Sequence, residues 1–345
     1  MVSFECDYNN GAHEEVLKRL IDTNRDTEPG YGADEYTLEA KEFIKKACGG
    51  DAEVDFLVGG TQTNAVVIDT MLKPYEGVIA ATTGHINIHE AGAVEASGRK
   101  VLPVPGYQGK VKAEDVRSFA ERFFDDESRE HMVFPGMLYI SHPTEYGTLY
   151  TKQELKELRE ICDRFGMKLF VDGARLAYGL AAHGTDVTLK TLAELADVFY
   201  IGGTKCGALC GEAVVFMRGN RPEHFVNLIK KHGALLAKGR LLGVQFGALF
   251  ADGLYERVGK WAIDLADDLK KIFSDRGYRF FIDSPTNQQF IIMENDRIEK
   301  LKEKLRFEFW ERYDANHTVV RFATSWATTR EDLKVLEDAL DEIGK

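Results

Sequence analysis

The stretch that most constrains this chain is Val198-Phe-Tyr-Ile-Gly-Gly-Thr-Lys-Cys-Gly207. An apolar run that stops at two glycines predicts a strand buried inside a parallel sheet. The lysine it delivers, Lys205, follows the strand's C-terminal end, where open α/β sheets place their ligands. Held there away from bulk water, a lysine has its pKa lowered and acts as an amine nucleophile toward an aldehyde. Alone, a lysine after a strand is more often a surface cation, so the rest of the chain must decide.

At 345 residues the chain exceeds one ordinary core, which predicts a large domain over residues 1–245 and a smaller one over 246–345. With 44% hydrophobic and 29% charged residues it reads as a soluble globular protein. No run of about 18 apolar residues is present to cross a membrane. Met1-Val-Ser-Phe-Glu-Cys-Asp7 lacks the basic and apolar regions of a signal peptide. A net charge of −12 argues against nucleic acid as a partner. Cys6, Cys48, Cys162, Cys206 and Cys210 are odd in number and scattered, which predicts a reduced cytoplasmic setting and no metal site.

Several strand ends carry chemistry. Asp55-Phe-Leu-Val58 predicts a strand running into Gly59-Gly-Thr-Gln-Thr-Asn64 and a helix over 65–72. Strand, glycine turn and helix together bind phosphate, because first-turn N–H groups and the helix dipole face the anion. Neither a Walker loop nor a Gly-x-Gly-x-x-Gly fingerprint is present. Gly77-Val-Ile-Ala-Ala81 is a further strand, and His85 lies in the connection after it, leading into a helix through Ala96. Met137 to Ser141 is a strand followed by a loop holding Glu145. Lys168 to Asp172 is another, and alternation puts Asp172 and Ala174 on one side, with Arg175 next. A buried aspartate needs a cationic partner. Arg240 to about Asp275 reads as a long, mostly helical bridge. Beyond it short strands and helices suggest an α+β unit, with Arg321 in the strand Val319–Thr324 and a final helix starting at the capping-box spacing Thr328–Glu331.

Pyridoxal 5'-phosphate needs this set. Its phosphate wants a helix N-terminus (Gly60, Thr61, Gln62), its aldehyde a lysine (Lys205), and its ring nitrogen a carboxylate that keeps it protonated (Asp172). Asp172 precedes Lys205 by 33 residues, room for one helix and one strand.

Taken together, Gly60-Thr-Gln-Thr-Asn64, His85-Ile-Asn-Ile-His-Glu-Ala-Gly92, Val171-Asp-Gly-Ala-Arg175, Thr204-Lys205 and Val320-Arg-Phe-Ala-Thr324 resemble the L-threonine aldolase branch of the β-eliminating lyases, in the aspartate-aminotransferase fold class. The resemblance implies a mostly parallel seven-stranded sheet between helices, a small C-terminal α+β unit, and a homotetramer of dimers that share active sites. It implies that Lys205 carries the cofactor, that Thr204 holds phosphate with Gly60 and Thr61, that Asp172 pairs with the ring nitrogen, and that His85 stacks on the ring. Arg175 would lie near the ring oxygen and the substrate carboxylate, and Arg321 would bind that carboxylate, with Asn9 and Tyr31 as further substrate contacts. Arg240 would lie near the phosphate, from its own subunit or a partner's, with Lys238 as the alternative. The chain departs from the pattern at Glu145, where many relatives carry a second histidine, and at Cys6-Asp7 in place of Ser-Asp. The expected reaction is retro-aldol cleavage of L-threonine or L-allo-threonine to glycine and acetaldehyde. The hydroxyl proton would be taken by His85, by Glu145 or by a water between them. The alternative is a related β-eliminating lyase or an aldolase for another β-hydroxy amino acid.

Overall fold

Every residue of the run Val198–Gly202 is buried, because sheet neighbours lie on both sides of it and helices cover both faces. The computed structural model describes residues 1–344. A short strand β1 (Val2–Ser3) opens the chain. The large sheet is built from β2 (Glu53–Leu57), β3 (Glu76–Ala81), β4 (Val101–Val104), β5 (Phe134–Ser141), β6 (Lys168–Asp172), β7 (Val198–Gly202) and β8 (Glu212–Phe216). Its seven strands run in the order β2-β8-β7-β6-β5-β3-β4. All neighbours are parallel except β8, which is antiparallel to both β2 and β7. This is the expected α/β architecture; β8 itself was not anticipated, because its short run follows a glycine-rich loop.

Period-two alternation divides the sheet into two apolar layers. Leu138, Ile140, Leu169, Val171, Phe199 and Ile201 pack on one face. Met137, Tyr139, Phe170, Val198, Tyr200 and Val214 pack on the other. Asp172 lies two residues beyond Phe170, so it shares a face with Tyr139 and Tyr200. The helix Lys152–Phe165 between β5 and β6 starts at a Thr151–Glu154 capping box and ends at Gly166 in the left-handed region (φ 68°). At the end of β6 the backbones close up: a Cβ on Gly173 would sit 2.0 Å from the Tyr200 carbonyl oxygen. Only glycine lets the Asp172 turn pack so tightly against β7.

The C-terminal part holds β9 (Arg279–Ile282), β10 (Gln288–Glu294), β11 (Leu305–Arg306), β12 (Glu308–Arg312) and β13 (His317–Ala323). Four of them form an antiparallel sheet in the order β12-β13-β10-β9, and β11 pairs with β1. Phe4 enters the apolar cluster of this part with Leu269, Phe273, Phe322 and Leu336, tying the N-terminal segment to it.

The mostly helical stretch expected from Arg240 to about Asp275 is two helices, Arg240–Ala251 and Leu254–Asp275, parted where Gly253 turns left-handed (φ 67°). Three local expectations are corrected. The helix expected through Ala96 after the His85 connection is two single turns, His85–Ile88 and Ala93–Ala96, parted by Ala91 (φ 52°) and Gly92 (φ 76°). The helix expected over 65–72 begins already at Gly60 and ends at Met71. The final helix is capped one residue later than expected, by Thr329 and Asp332. The Thr328 hydroxyl is occupied instead, accepting the Ser325 N–H at 2.9 Å. Among the described residues no helix is long and apolar enough to cross a membrane.

Candidate active site

A cavity of ≈ 250 Å³ opens at the C-terminal ends of β5, β6 and β7, and Gly60, Thr61, His85, Glu145, Asp172, Ala174, Arg175, Thr204 and Lys205 all line it. The crossovers deliver them there: each parallel strand ends on the same edge, and the loop after it turns in.

Asp172 is the most heavily bonded group. Its Oδ2 accepts the Tyr139 hydroxyl at 2.6 Å and Asn64 Nδ2 at 3.1 Å. Its Oδ1 accepts the Tyr200 hydroxyl at 2.5 Å and the Ala174 N–H at 3.0 Å. Burial pushes the carboxyl up, but the charge of His85 and the two tyrosine hydrogen bonds outweigh it and hold Asp172 below its ordinary value. A buried carboxylate that stays ionised is what a protonated ring nitrogen requires.

Lys205 is the opposite case. Burial, joined by the positive charge of Arg175, lowers its pKa. The Tyr178 hydroxyl donates to the Lys205 carbonyl at 2.5 Å and pins the backbone of the loop. Nζ lies 5.8 Å from the centroid of the Tyr8 ring.

Gly59 caps the helix Gly60–Met71 in an extended conformation and brings no side-chain acceptor to its first turn. Those N–H groups are open to an anion. A Cβ on Gly60 would come within 3.2 Å of the Tyr200 hydroxyl, so the backbone itself forms the wall. The Gln62 side-chain oxygen accepts the Val58 N–H at 3.1 Å, bracing the turn, and its side chain is absent from the cavity lining.

His85 Nδ1 lies 2.8 Å from Glu90 Oε1, which also accepts Asn64 Nδ2 at 2.7 Å. Burial disfavours charge on His85, but the Glu90 hydrogen bond and the Asp172 charge prevail and raise its pKa. Glu145 Oε1 accepts the His85 N–H at 3.0 Å and the Ser141 hydroxyl at 2.7 Å. Its Oε2 is buried without a hydrogen-bond partner among the described residues. Burial raises the Glu145 pKa against the Ser141 hydrogen bond.

Arg175 is held by Asp7, with Nε at 2.7 Å from Oδ2 and an Nη at 3.1 Å from Oδ1. Asn287 adds a donor to Asp7 at 2.9 Å. Burial acts to raise the Asp7 carboxyl, yet Arg175 and Lys205 bring it down to about 2.

Four predicted residues stand apart. Arg321 is buried behind the cavity, where Gln288 Oε1 at 2.9 Å, the Glu5 carbonyl at 3.0 Å and Glu308 hold its guanidinium. Burial and the nearby Arg175 charge lower its pKa to about 10. Arg240 donates to the carbonyls of Asp26 at 2.7 Å and Thr23 at 2.5 Å, away from the cavity of its own chain. Tyr31 is half exposed and lines a separate cleft with Lys41 and Leu235. Asn9 is exposed, and its neighbour Tyr8 takes the place at the cavity.

Sequence reasoning passed over Glu90, Tyr139, Tyr200 and Glu212. The tyrosines read as strand core; counting back two residues from Ser141 and from Gly202 places both on the Asp172 face. Glu90 sits inside a motif already noted.

A family model described as beta-eliminating lyase matches residues 6–301. The low specificity L-threonine aldolase of a Pseudomonas species (strain NCIMB 10558) is 30% identical over 342 residues, 98% of this chain and 96% of that protein. Its counterpart in Pseudomonas aeruginosa is 28% identical over 337 residues, covering 96% and 95%. Among solved structures, a threonine aldolase from Leishmania major superposes with a TM-score of 0.95 at 38% identity, over 99% of this chain and 100% of that one. Aspartate aminotransferase from Thermus thermophilus shares the fold alone, with a TM-score of 0.70 at 16% identity over 99% and 91%.

Proposed function

Because the chain belongs to the β-eliminating lyase family, we propose that it is a pyridoxal-phosphate-dependent carbon–carbon lyase that splits L-threonine and L-allo-threonine into glycine and acetaldehyde. One observation carries the reading: an amine whose charge is disfavoured and a carboxylate whose charge is retained open into the same cavity.

The residues present fit the cofactor. The uncapped helix N-terminus at Gly60 and Thr61, with Thr204, suits its phosphate. When bound, the cofactor supplies an aldehyde for Lys205 and an electron sink for the pair released as the Cα–Cβ bond breaks. Asp172, fixed by Tyr139, Asn64 and Tyr200, holds a proton on the ring nitrogen. His85, fixed through Nδ1 by Glu90, presents its ring to the cavity. Arg175, clamped by Asp7, orients the substrate carboxylate, and its fork geometry makes that contact directional.

Glu145 Oε2 is the base for the β-hydroxyl proton. Among the described residues it is the oxygen of that carboxyl without a partner, and a raised pKa brings it closer to a hydroxyl's needs. Glu145→Gln is therefore expected to lower kcat by roughly 10²–10⁴-fold, measured as acetaldehyde release from both threonine diastereomers. Because the base must be ionised, wild-type kcat rises as pH climbs through the elevated Glu145 pKa, and the variant lacks that limb. Release of ammonia and a keto acid instead of acetaldehyde would rule out the aldolase assignment.

Arg240, Tyr31 and Asn9 are assigned to a partner's cavity in a homotetramer that shares its sites between chains. The exposed Tyr31, held in a left-handed conformation (φ 60°), supports this. Sedimentation of the purified protein as a monomer would refute it. The five free cysteines support a cytoplasmic setting, which fractionation of cells making the protein tests.

A further inference from the structure

The phosphate end of the cavity contains a carboxyl group that the reaction does not use. Glu212, the first residue of β8, is 3% exposed and lines the same cavity as Thr204 and Lys205. Its Oε2 accepts the Gly203 N–H at 3.2 Å, and its Oε1 lies 2.8 Å from the Thr204 hydroxyl oxygen. That same hydroxyl oxygen accepts the Gly211 N–H at 3.0 Å. The Gly211 carbonyl, at 3.5 Å, is a far poorer acceptor than Glu212.

A hydroxyl has one proton and two lone pairs, and the count decides what Thr204 can do. With Glu212 ionised, Thr204 gives its proton to Oε1 and has none left for an anion in the cavity. With a proton on Glu212 Oε1, the direction reverses. Glu212 then donates to Thr204, the Gly211 N–H fills the second lone pair, and the Thr204 proton is free to meet a phosphate. An ionised Glu212 would in addition repel that phosphate directly.

We propose that Glu212 is a positioning residue for the cofactor phosphate: protonated, it turns the Thr204 hydroxyl toward the anion, and ionised, it withdraws that hydroxyl and loosens the cofactor. The proposal rests on the reading of Thr204 as a phosphate ligand. The groups facing Glu212 are Lys205 and Asp172 across the cavity, Tyr200 on β7, Cys206 and Cys210 in the loop, and Tyr255 from the helix Leu254–Asp275. Lys205 is the cation in this set. Burial raises the Glu212 carboxyl to about 8 against the Thr204 hydrogen bond and the Lys205 charge. The change of state therefore falls within an accessible pH range.

The test uses pyridoxine 5'-phosphate, which carries the phosphate but no aldehyde, so Lys205 forms no covalent bond to it. Its dissociation constant is measured on cofactor-stripped protein by tryptophan fluorescence from about pH 6.5 to about 9.5. Glu212→Gln, whose amide donates as the protonated acid would, serves as reference. The ratio of wild-type to Glu212→Gln dissociation constants should be near one at the acid end. It should climb by about tenfold per pH unit once the carboxyl ionises. A ratio flat across the range overturns the proposal. Thr204→Val separates the two layers of inference. If Thr204→Val binds pyridoxine 5'-phosphate as tightly as wild type at about pH 6.5, the phosphate reading of Thr204 itself fails. If it binds more weakly there while the ratio stays flat, only the role of Glu212 fails. Should Glu212→Gln not fold, Thr204→Val decides alone: an alkaline weakening smaller than that of wild type, with only the direct repulsion by Glu212 left, supports the proposal, and an undiminished weakening overturns it.

Discussion

Lys205→Ala is expected to abolish formation of glycine and acetaldehyde, by on the order of 10⁴-fold or more. That is the scale of loss when the residue making the covalent link is deleted. The visible absorption of the holoenzyme should vanish with it. The expectation rests on the placement of one amine: Lys205 follows β7 at the sheet edge, its backbone is pinned by Tyr178, and burial beside Arg175 lowers its pKa. The uncharged amine is the nucleophilic form. Its side chain lines a cavity and not the apolar core, so the melting temperature of the cofactor-free variant should stay close to wild type. A variant that kept both turnover and colour would remove Lys205 from the reaction.

The second large effect falls on stability. Asp7→Ala leaves Arg175 buried with no carboxylate, and breaking a buried ion pair by deleting one partner costs about 3–5 kcal/mol. Chemical denaturation should show a loss of that order, and the KM for threonine should rise because Arg175 is no longer held in place. Asp7→Asn, which keeps hydrogen-bonding capacity but not charge, should fall between. The pH dependence has a definite sign. The folded pKa of Asp7, about 2, lies below its ordinary 3.8. Its contribution is therefore fully present above the ordinary value and is lost as pH falls through the window between the two. The stability gap between wild type and Asp7→Ala should narrow through that acid window and stay constant from there to neutrality. Equal stability of the two proteins at neutral pH would show that the Asp7–Arg175 pair is not what holds the N-terminal segment to the site.

Much of the architecture could be read from residue order. Apolar runs ended by glycine located β7 and its lysine, and the period-two count put Asp172 and Ala174 on one side of β6. What alternation alone did not reveal was which core residues are polar in purpose. Tyr139 and Tyr200 look like ordinary buried strand aromatics, and only the register of β5, β6 and β7 brings their hydroxyls onto one carboxylate. Glu212 escaped notice because β8 is short and antiparallel, so its start falls beside the lysine loop only after the chain doubles back. Thr328 and Thr329 are equally good caps by composition; a local turn, in which the Ser325 N–H occupies the Thr328 hydroxyl, decides between them. Arg240, Tyr31 and Asn9 lie away from the cavity of their own chain, and no periodicity in the sequence signals where a loop residue or a helix-start arginine points.

The central claim is that position 205 carries the cofactor. Borohydride reduction of the holoenzyme, followed by proteolysis and peptide mass analysis, tests it most directly, since reduction fixes the group to whichever amine holds it. The expected result is one pyridoxyl phosphate adduct, on the peptide containing Lys205. An adduct on Lys238 or any other lysine, or no adduct on protein that is nonetheless active, would contradict it.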